Sequence, residues 1–180
     1  MNTWLTSDQH FGHTNIIRYS GRPFRDLDEM HSELIRRHNS VVCTDDTVYH
    51  LGDFSLDERM VPRFLPLLAG RHILVTGNHD ACHPRRKGWR KHAAGYLNHG
   101  FAEVHAVGWM ALPGHPGVML AHMPSTDAAD ARYPEWRPKG GYETLLHGHV
   151  HERWQRNGKM INVGVDVWDY TPVRLDVLLG

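Results

Sequence analysis

Cysteine is nearly absent from this 180-residue chain. Cys43 and Cys82 are too few for a disulfide framework and too far apart for a Cys-x-x-Cys zinc site, so free thiols in a reducing compartment are expected. An excess of charge is also missing. The 20 Lys and Arg balance the 20 Asp and Glu, and no global field argues for nucleic acid or a membrane surface. No apolar run approaches the length needed to cross a bilayer, and Met1 leads into a strand pattern without a basic, apolar leader. A cytoplasmic protein with no membrane partner is the expectation. Repeats, low-complexity tracts and linkers are lacking as well. With 41% hydrophobic and 22% charged residues, this length suits one well-buried core, a single domain over residues 1–180.

What the chain has in abundance is histidine, 16 residues of it, the commonest metal ligand and a proton donor near neutral pH. The histidines do not form one tract. Several stand, with Asp and Asn, just past short apolar runs.

Those runs are Thr3–Thr6, Thr47–Leu51, Ile73–Thr76, Val118–Ala121 and Thr144–Leu146, β-branched or apolar and bounded by Gly, Asp or Asn, and they read as strands. Between the first two a helix is expected. Asp26 can cap it with Glu29 three residues on, and Leu27, Met30, Leu34, Ile35 and His38 form one stripe. Residues 56–69 also read as helical up to Gly70, with Pro62 and Pro66 interrupting. Strand alternating with helix implies parallel pairing through right-handed crossovers. After Gly100 the pattern shifts to shorter strands, Ala102–Val107 and Met160–Val167 among them, and a mixed second sheet is expected. The fold class is α/β.

At the ends of these strands lie Asp8 and His10, Asp53, Asn78 and His79, His122, and then His149 and His151. If Asp8 and His10 continue an extended backbone, the period of two points both side chains to one side, where they can grip one ion; His149 and His151 repeat the spacing. Asp53 is a carboxylate whose two oxygens can serve two metals. Asn78 offers a neutral oxygen ligand. Taken singly, each has a plainer reading: turn polarity for Asp8-x-His10, a cap for Asp53, a turn residue for Asn78, a structural histidine for His122, a histidine-rich tract for His147 to His151. Together, strand ends that all carry metal-type ligands favour a metal site.

The series Asp8-x-His10, Gly52-Asp53, Gly77-Asn78-His79-Asp80, His122 and Gly148-His149-x-His151 resembles the calcineurin-like metallophosphoesterase family, in the family's order and from Thr3 to about Asp169. Asp8-Gln9-His10-Phe11-Gly12-His13 and Asp166-Val167-Trp168-Asp169-Tyr170 are similar to its small bacterial and phage-type branch. The resemblance implies a four-layer α/β/β/α sandwich of two mixed sheets. It also implies two divalent ions, one held by Asp8, His10, Asp53 and His151 and the other by Asp53, Asn78, His122 and His149. His13, His50 and His147 fall outside that pattern.

Two ions about 3.5–4 Å apart can acidify a shared water and neutralise a phosphate, so the implied chemistry is phosphoester hydrolysis by hydroxide. His79 is the candidate acid for the leaving alkoxide, with Asp80 beside it as a candidate orienting group. The nitrogen and oxygen ligands, with no thiolate, suit manganese, and iron, zinc, nickel or cobalt can fill the same cage. The expected partner is a phosphoester substrate of nucleotide or nucleic-acid type. Arg85, Arg86, Lys87, Trp89, Arg90 and Lys91 form a basic cluster that can hold a backbone or simply face solvent. Residues 123–141, with Arg132, Tyr133, Trp136, Arg137 and Lys139, can shape the pocket or simply pack as a small satellite cluster, and Arg18 and Arg22 can contact a phosphate or merely be exposed. A phosphodiesterase is the first reading, a phosphomonoesterase its close variant. A non-catalytic scaffold is disfavoured because His79 and the full ligand set are present, and a metal-storage module would bind without turnover.

Overall fold

The computed structural model describes residues 1–106 and 109–180. Its elements, in chain order, begin with β1 (Thr3–Thr6), α1 (Thr14–Tyr19), α2 (Leu27–Val41), β2 (Thr47–His50), α3 (Val61–Phe64), β3 (Arg71–Val75), α4 (Trp89–Asn98) and β4 (Glu103–His105). There follow β5 (Trp109–Ala111), β6 (Val118–Ala121), β7 (Thr144–His147), β8 (Arg156–Asn157), β9 (Met160–Asn162), β10 (Val173–Arg174) and α5 (Leu175–Leu179). Among the described residues the strands make two five-stranded sheets, ordered β10-β1-β2-β3-β4 and β5-β6-β7-β9-β8. In the first, β1 to β4 run parallel and β10 is antiparallel; in the second, β6, β7 and β9 run parallel between antiparallel edges.

Alternation along each strand explains the layering. Leu5, Tyr49, Ile73 and Val75 point from the first sheet toward Leu120, Leu146 and Ile161 of the second, forming the inter-sheet core. Full burial of each such side chain is worth about 1.5–3 kcal/mol. Leu74 points the other way, into a second core with Met30 and Leu34 of α2, Phe64 of α3 and Tyr96 of α4. Against the outer face of the second sheet, carrying Ala121, Leu145 and Met160, pack Trp109, Met119, Tyr142 and Trp154. Trp109 and Trp154 therefore pack. The mixed α/β sandwich expected from the sequence is the observed architecture.

Local chemistry sets the boundaries. Asp26 accepts the Glu29 N–H at 2.8 Å and starts α2. The helix expected over 56–69 is instead a 3₁₀ turn (Glu58–Met60), the single turn α3 and another 3₁₀ turn (Leu65–Leu67), because Pro62 and Pro66 each lack an amide hydrogen and restart the chain at a helix N-terminus. The strand expected over 102–107 is only β4, and Val107 lies outside the described residues. Residues 160–167 form β9 and then a 3₁₀ turn (Val165–Val167). No helix among the described residues is long and apolar enough to cross a membrane.

Candidate metal centre

Parallel strands carry their carboxyl ends to the same edge, and there β1, β2, β3, β6 and β7 hand over to the loops bearing the motif residues. The β1 loop is laced to the β2 loop: Asp8 N–H donates to Gly52 O at 3.0 Å, and His10 N–H to Asp53 O at 3.0 Å. A parallel bridge between Ser7 and Gly164 joins the two sheets beneath this edge.

The close approach of side chains differs from the extended-backbone expectation. Asp8 (φ 60°), His10 (φ 54°), Asp53 (φ 53°), His149 (φ 73°) and His151 (φ 49°) all lie in the left-handed region, five of the eight non-glycine residues there among those described. Such backbone costs of order 1–3 kcal/mol per residue and collects at functional sites. Left-handed turns past the strands, not the strand period, therefore aim Asp8 with His10 and His149 with His151 inward. Two glycines are fixed by contact. A Cβ on Gly77 would sit 2.2 Å from Asp53 Oδ1, and one on Gly148 2.0 Å from Ser7 Oγ and 2.3 Å from Asp8 Oδ2.

Ligand-type atoms of Asp8, His10 and His151 gather in one group and those of Asp8, Asp53 and His122 in another. Asp53 Oδ2 lies 3.6 Å from His10 Nε2 and 3.4 Å from His122 Nε2. Its Oδ1 accepts the His79 N–H at 2.8 Å, so one carboxylate oxygen, rather than two, faces both histidines. Asn78 Oδ1 is 3.1 Å from His122 Nε2. His149 stands with its ring 5.1 Å from that of His122, outside both groups, and its N–H donates to Asp8 Oδ2 at 2.9 Å. His79 is half-buried, its ring 5.5 Å from His10.

Hydrogen bonds commit one nitrogen of each ligand-type imidazole. Leu51 O can only accept, so the 2.8 Å contact makes His122 Nδ1 a donor, while Nε2 faces Asn78 Oδ1 at 3.1 Å and Asp53 Oδ2 at 3.4 Å. Asp166 Oδ2, 3.1 Å from His151 Nδ1, does the same for His151, whose Nε2 is 4.0 Å from Asp8 Oδ1. Burial drives His10 well below its ordinary pKa, so it is neutral, and burial pushes His149 down to about 3. Burial opposes protonation of His122 and His151 too, but Asp53 and Asp166 beside them outweigh it and hold both above the usual value. Burial raises Asp8, whereas Asp53 is held low despite burial because His122 converges on it. Asp8 Oδ1 and both His10 ring nitrogens are buried without a hydrogen-bond partner. Buried acceptors and a carboxylate short of counter-charge, with amide and imidazole donors, fit divalent cations.

Two expectations change, for Arg22 and Asp80, and two others are narrowed, for Arg18 and the basic cluster. Arg22 is buried and cannot reach a substrate phosphate: it donates to Asp166 from Nε (2.8 Å) and Nη2 (3.0 Å), and to the carbonyls of Asp8 (2.7 Å) and Gln9 (3.0 Å). Arg18 is exposed. Asp80 does not orient His79. It is fully buried and accepts from the amides of Asp53 (2.9 Å), Phe54 (3.1 Å) and Gly77 (2.8 Å), locking two ligand loops together, while burial and Asp53 push its carboxyl up to about 7. In the basic cluster Arg85 and Arg86 donate to the carbonyls of Asn78 and His79, both at 3.3 Å, bracing the ligand loop, and Lys87, Arg90 and Lys91 face solvent. His50 bonds His72 at 3.0 Å in the helix-side core, and His147 is buried with its ring 4.8 Å from Trp154.

The open side of the site is a cavity of about 510 Å³ lined by Asp53, Asn78, His79, His149 and His151 and, across from them, Asp130, Arg132, Tyr133 and Arg153. Of the long segment after His122, Arg132 and Tyr133 line this cavity; Trp136, Arg137 and Lys139 do not. Asp130 and the role of Asp166 were invisible in the sequence, since neither follows a strand or belongs to a spaced pair.

A family model described as the calcineurin-like phosphoesterase superfamily domain matches residues 1–168. The chain belongs to that superfamily. It is 31% identical to the gene 66 protein of Mycobacterium phage L5, over 93% of this chain and 87% of that protein. It is likewise 31% identical to the uncharacterized protein MJ1445 of Methanocaldococcus jannaschii, over 98% and 88%. The crystal structure of a protein of unknown function, AQ665 from Aquifex aeolicus, superposes with a TM-score of 0.74 at 29% identity, covering 98% of this chain and 97% of that one. Superfamily membership and the carboxylate–imidazole groups together support a metal-dependent phosphoesterase.

Proposed function

We propose that this chain is a phosphodiesterase working with two divalent ions, manganese in the first instance, on substrates of nucleotide or nucleic-acid type. The supporting observation is Asp53 Oδ2, placed between His10 Nε2 at 3.6 Å and His122 Nε2 at 3.4 Å, one oxygen able to join two positions. Asp8, His10, Asp53 and His151 would hold one ion, and Asp53, Asn78, His122 and His149 the other. Bound there, such ions supply Lewis-acid neutralisation of phosphate oxygens and acidify water.

The chain's own groups do the rest. Neutral His10 is ready to bind without losing a proton, and His122 and His151 turn Nε2 toward the ligand carboxylates Asp53 and Asp8. His79, half-buried on the cavity wall, would give a proton to a leaving alkoxide. Arg132 and Arg153 line the opposite wall, each already paired to an aspartate, Asp130 and Asp127, and Tyr133 offers a ring face to a base or aryl arm. A diester needs room for a second arm, and about 510 Å³ is within the range of nucleotide-sized pockets.

The test is hydrolysis of bis(p-nitrophenyl) phosphate against p-nitrophenyl phosphate by metal-stripped protein with and without Mn²⁺. Diester hydrolysis that requires added metal and vanishes in Asp53→Ala is expected. Full activity in chelator would refute the metal reading, and faster monoester turnover would replace the diester reading with a phosphomonoesterase.

A further inference from the structure

Each of the histidines His122, His149 and His151 has one ring nitrogen committed to an oxygen acceptor. For His122 and His151 the acceptor belongs to the framework: Leu51 O at the end of β2 and Asp166 in the 3₁₀ turn that Arg22 anchors. For His149 it is Asp130 Oδ2, 3.1 Å from Nε2, on the long segment between β6 and β7. A carboxylate there makes Nε2 the protonated nitrogen and leaves Nδ1 as the lone pair, and it raises the ring's basicity as a ligand.

The segment is built to deliver that carboxylate. Arg137, only 7% exposed, donates to Pro124 O at 2.9 Å, Asp130 O at 2.8 Å and Arg132 O at 3.2 Å, tying the segment to itself. Arg153 pairs with Asp127, and Arg132 grips Asp130 Oδ1 and Oδ2, each at 2.9 Å. Asp130 is itself one-tenth exposed. From this geometry we infer that Asp130 is a positioning residue for His149, so that the segment shaping the substrate cavity also sets the tautomer and metal affinity at the Asn78–His122–His149 position. The inference rests on the proposed function only in taking His149 as a ligand. It adds that one of the two ion positions is conditional on residues 123–137 being seated, whereas the other is held by framework alone.

Calorimetric Mn²⁺ titration of the metal-stripped full chain tests this, with long-range ¹H–¹⁵N NMR of the imidazoles reading the His149 tautomer. Wild type should show two sites and His149→Ala one. Asp130→Ala should weaken one site about 10- to 100-fold, leave the other unchanged and turn His149 from the Nε2–H form to a mixture. Asp130→Asn, whose amide oxygen still accepts the N–H, should recover most of the affinity; a fold-disrupting role for Asp130 would not be rescued selectively at one site. Two wild-type sites with Asp130→Ala titrating identically overturn the inference alone. A wild type that takes up fewer than two Mn²⁺ overturns the two-metal reading and this inference with it, whereas a His149→Ala variant that still shows both sites removes His149 as a ligand and overturns this inference alone.

Discussion

Replacing Arg22 by Met should destabilise the protein by about 3–5 kcal/mol, the usual cost of stranding one partner of a buried ion pair. The Arg22 and Asp166 side chains are 0% and 1% exposed, so water cannot take over when the guanidinium is removed. Met keeps most of the stem's volume but deletes the donors to Asp166, Asp8 O and Gln9 O. For a domain of this size each kcal/mol shifts Tm by about 2–4 °C, and the expected fall is roughly 6–20 °C. Burial works against ionised Asp166, yet the His151 hydrogen bond and Arg22 hold its carboxyl below the ordinary value. Its stabilisation is therefore complete above about pH 4 and lost only as pH drops through the lower folded value, so a scan at pH 7 finds the pair charged. A second variant, Arg22→Met with Asp166→Leu, substitutes an apolar pair and should regain much of the lost stability. It should not regain metal affinity, because His151 Nδ1 then has no acceptor, and Mn²⁺ binding should stay about 10- to 100-fold weaker. Calorimetric unfolding and Mn²⁺ titration of the variants read both quantities. A Tm change under 3 °C for Arg22→Met, or wild-type Mn²⁺ affinity in the double variant, would refute the reasoning.

His79→Ala should retain Mn²⁺ binding but slow esters with poor leaving groups far more than p-nitrophenyl esters, by about 10²–10⁴-fold if the proton transfer is lost entirely; equal slowing across leaving groups, read from kcat/KM, argues against the acid role. The buried histidines His38, His50 and His72 are held below their ordinary pKa by burial, His38 at about 4. Unfolding lets them take up protons near pH 6.5, so stability is full above that value and falls as pH drops toward 4, by up to about 1.4 kcal/mol per pH unit for each. A Tm that stays flat from pH 7 to 5 would contradict this.

The strands were legible because each is a short β-branched run closed by a turn residue, and β1 and β6 match their expected limits. The motif residues were legible because parallel strands put such residues on one edge. The conformation that aims Asp8 and His10 was not, since a left-handed φ at a non-glycine residue is imposed by neighbouring loops and leaves no mark in the sequence. Arg22 looked like a free cation for the same reason: its partner Asp166 is 144 positions away. Asp130 reaches His149 through a loop without periodicity, held by Arg137, and only the folded chain brings them together. α4 was hidden in a basic run that opens at Gly88.

The two sheets contribute unequal shares to the centre: Asp8, His10, Asp53 and Asn78 follow strands of one, His122, His149 and His151 strands of the other. With the Ser7–Gly164 bridge already joining the sheets, cations seated among these residues would act as rivets through both halves of the sandwich. Loading of such ions would then be coupled to closing of the inter-sheet core, and a nascent chain could gain that stabilisation only after residue 151 has been made.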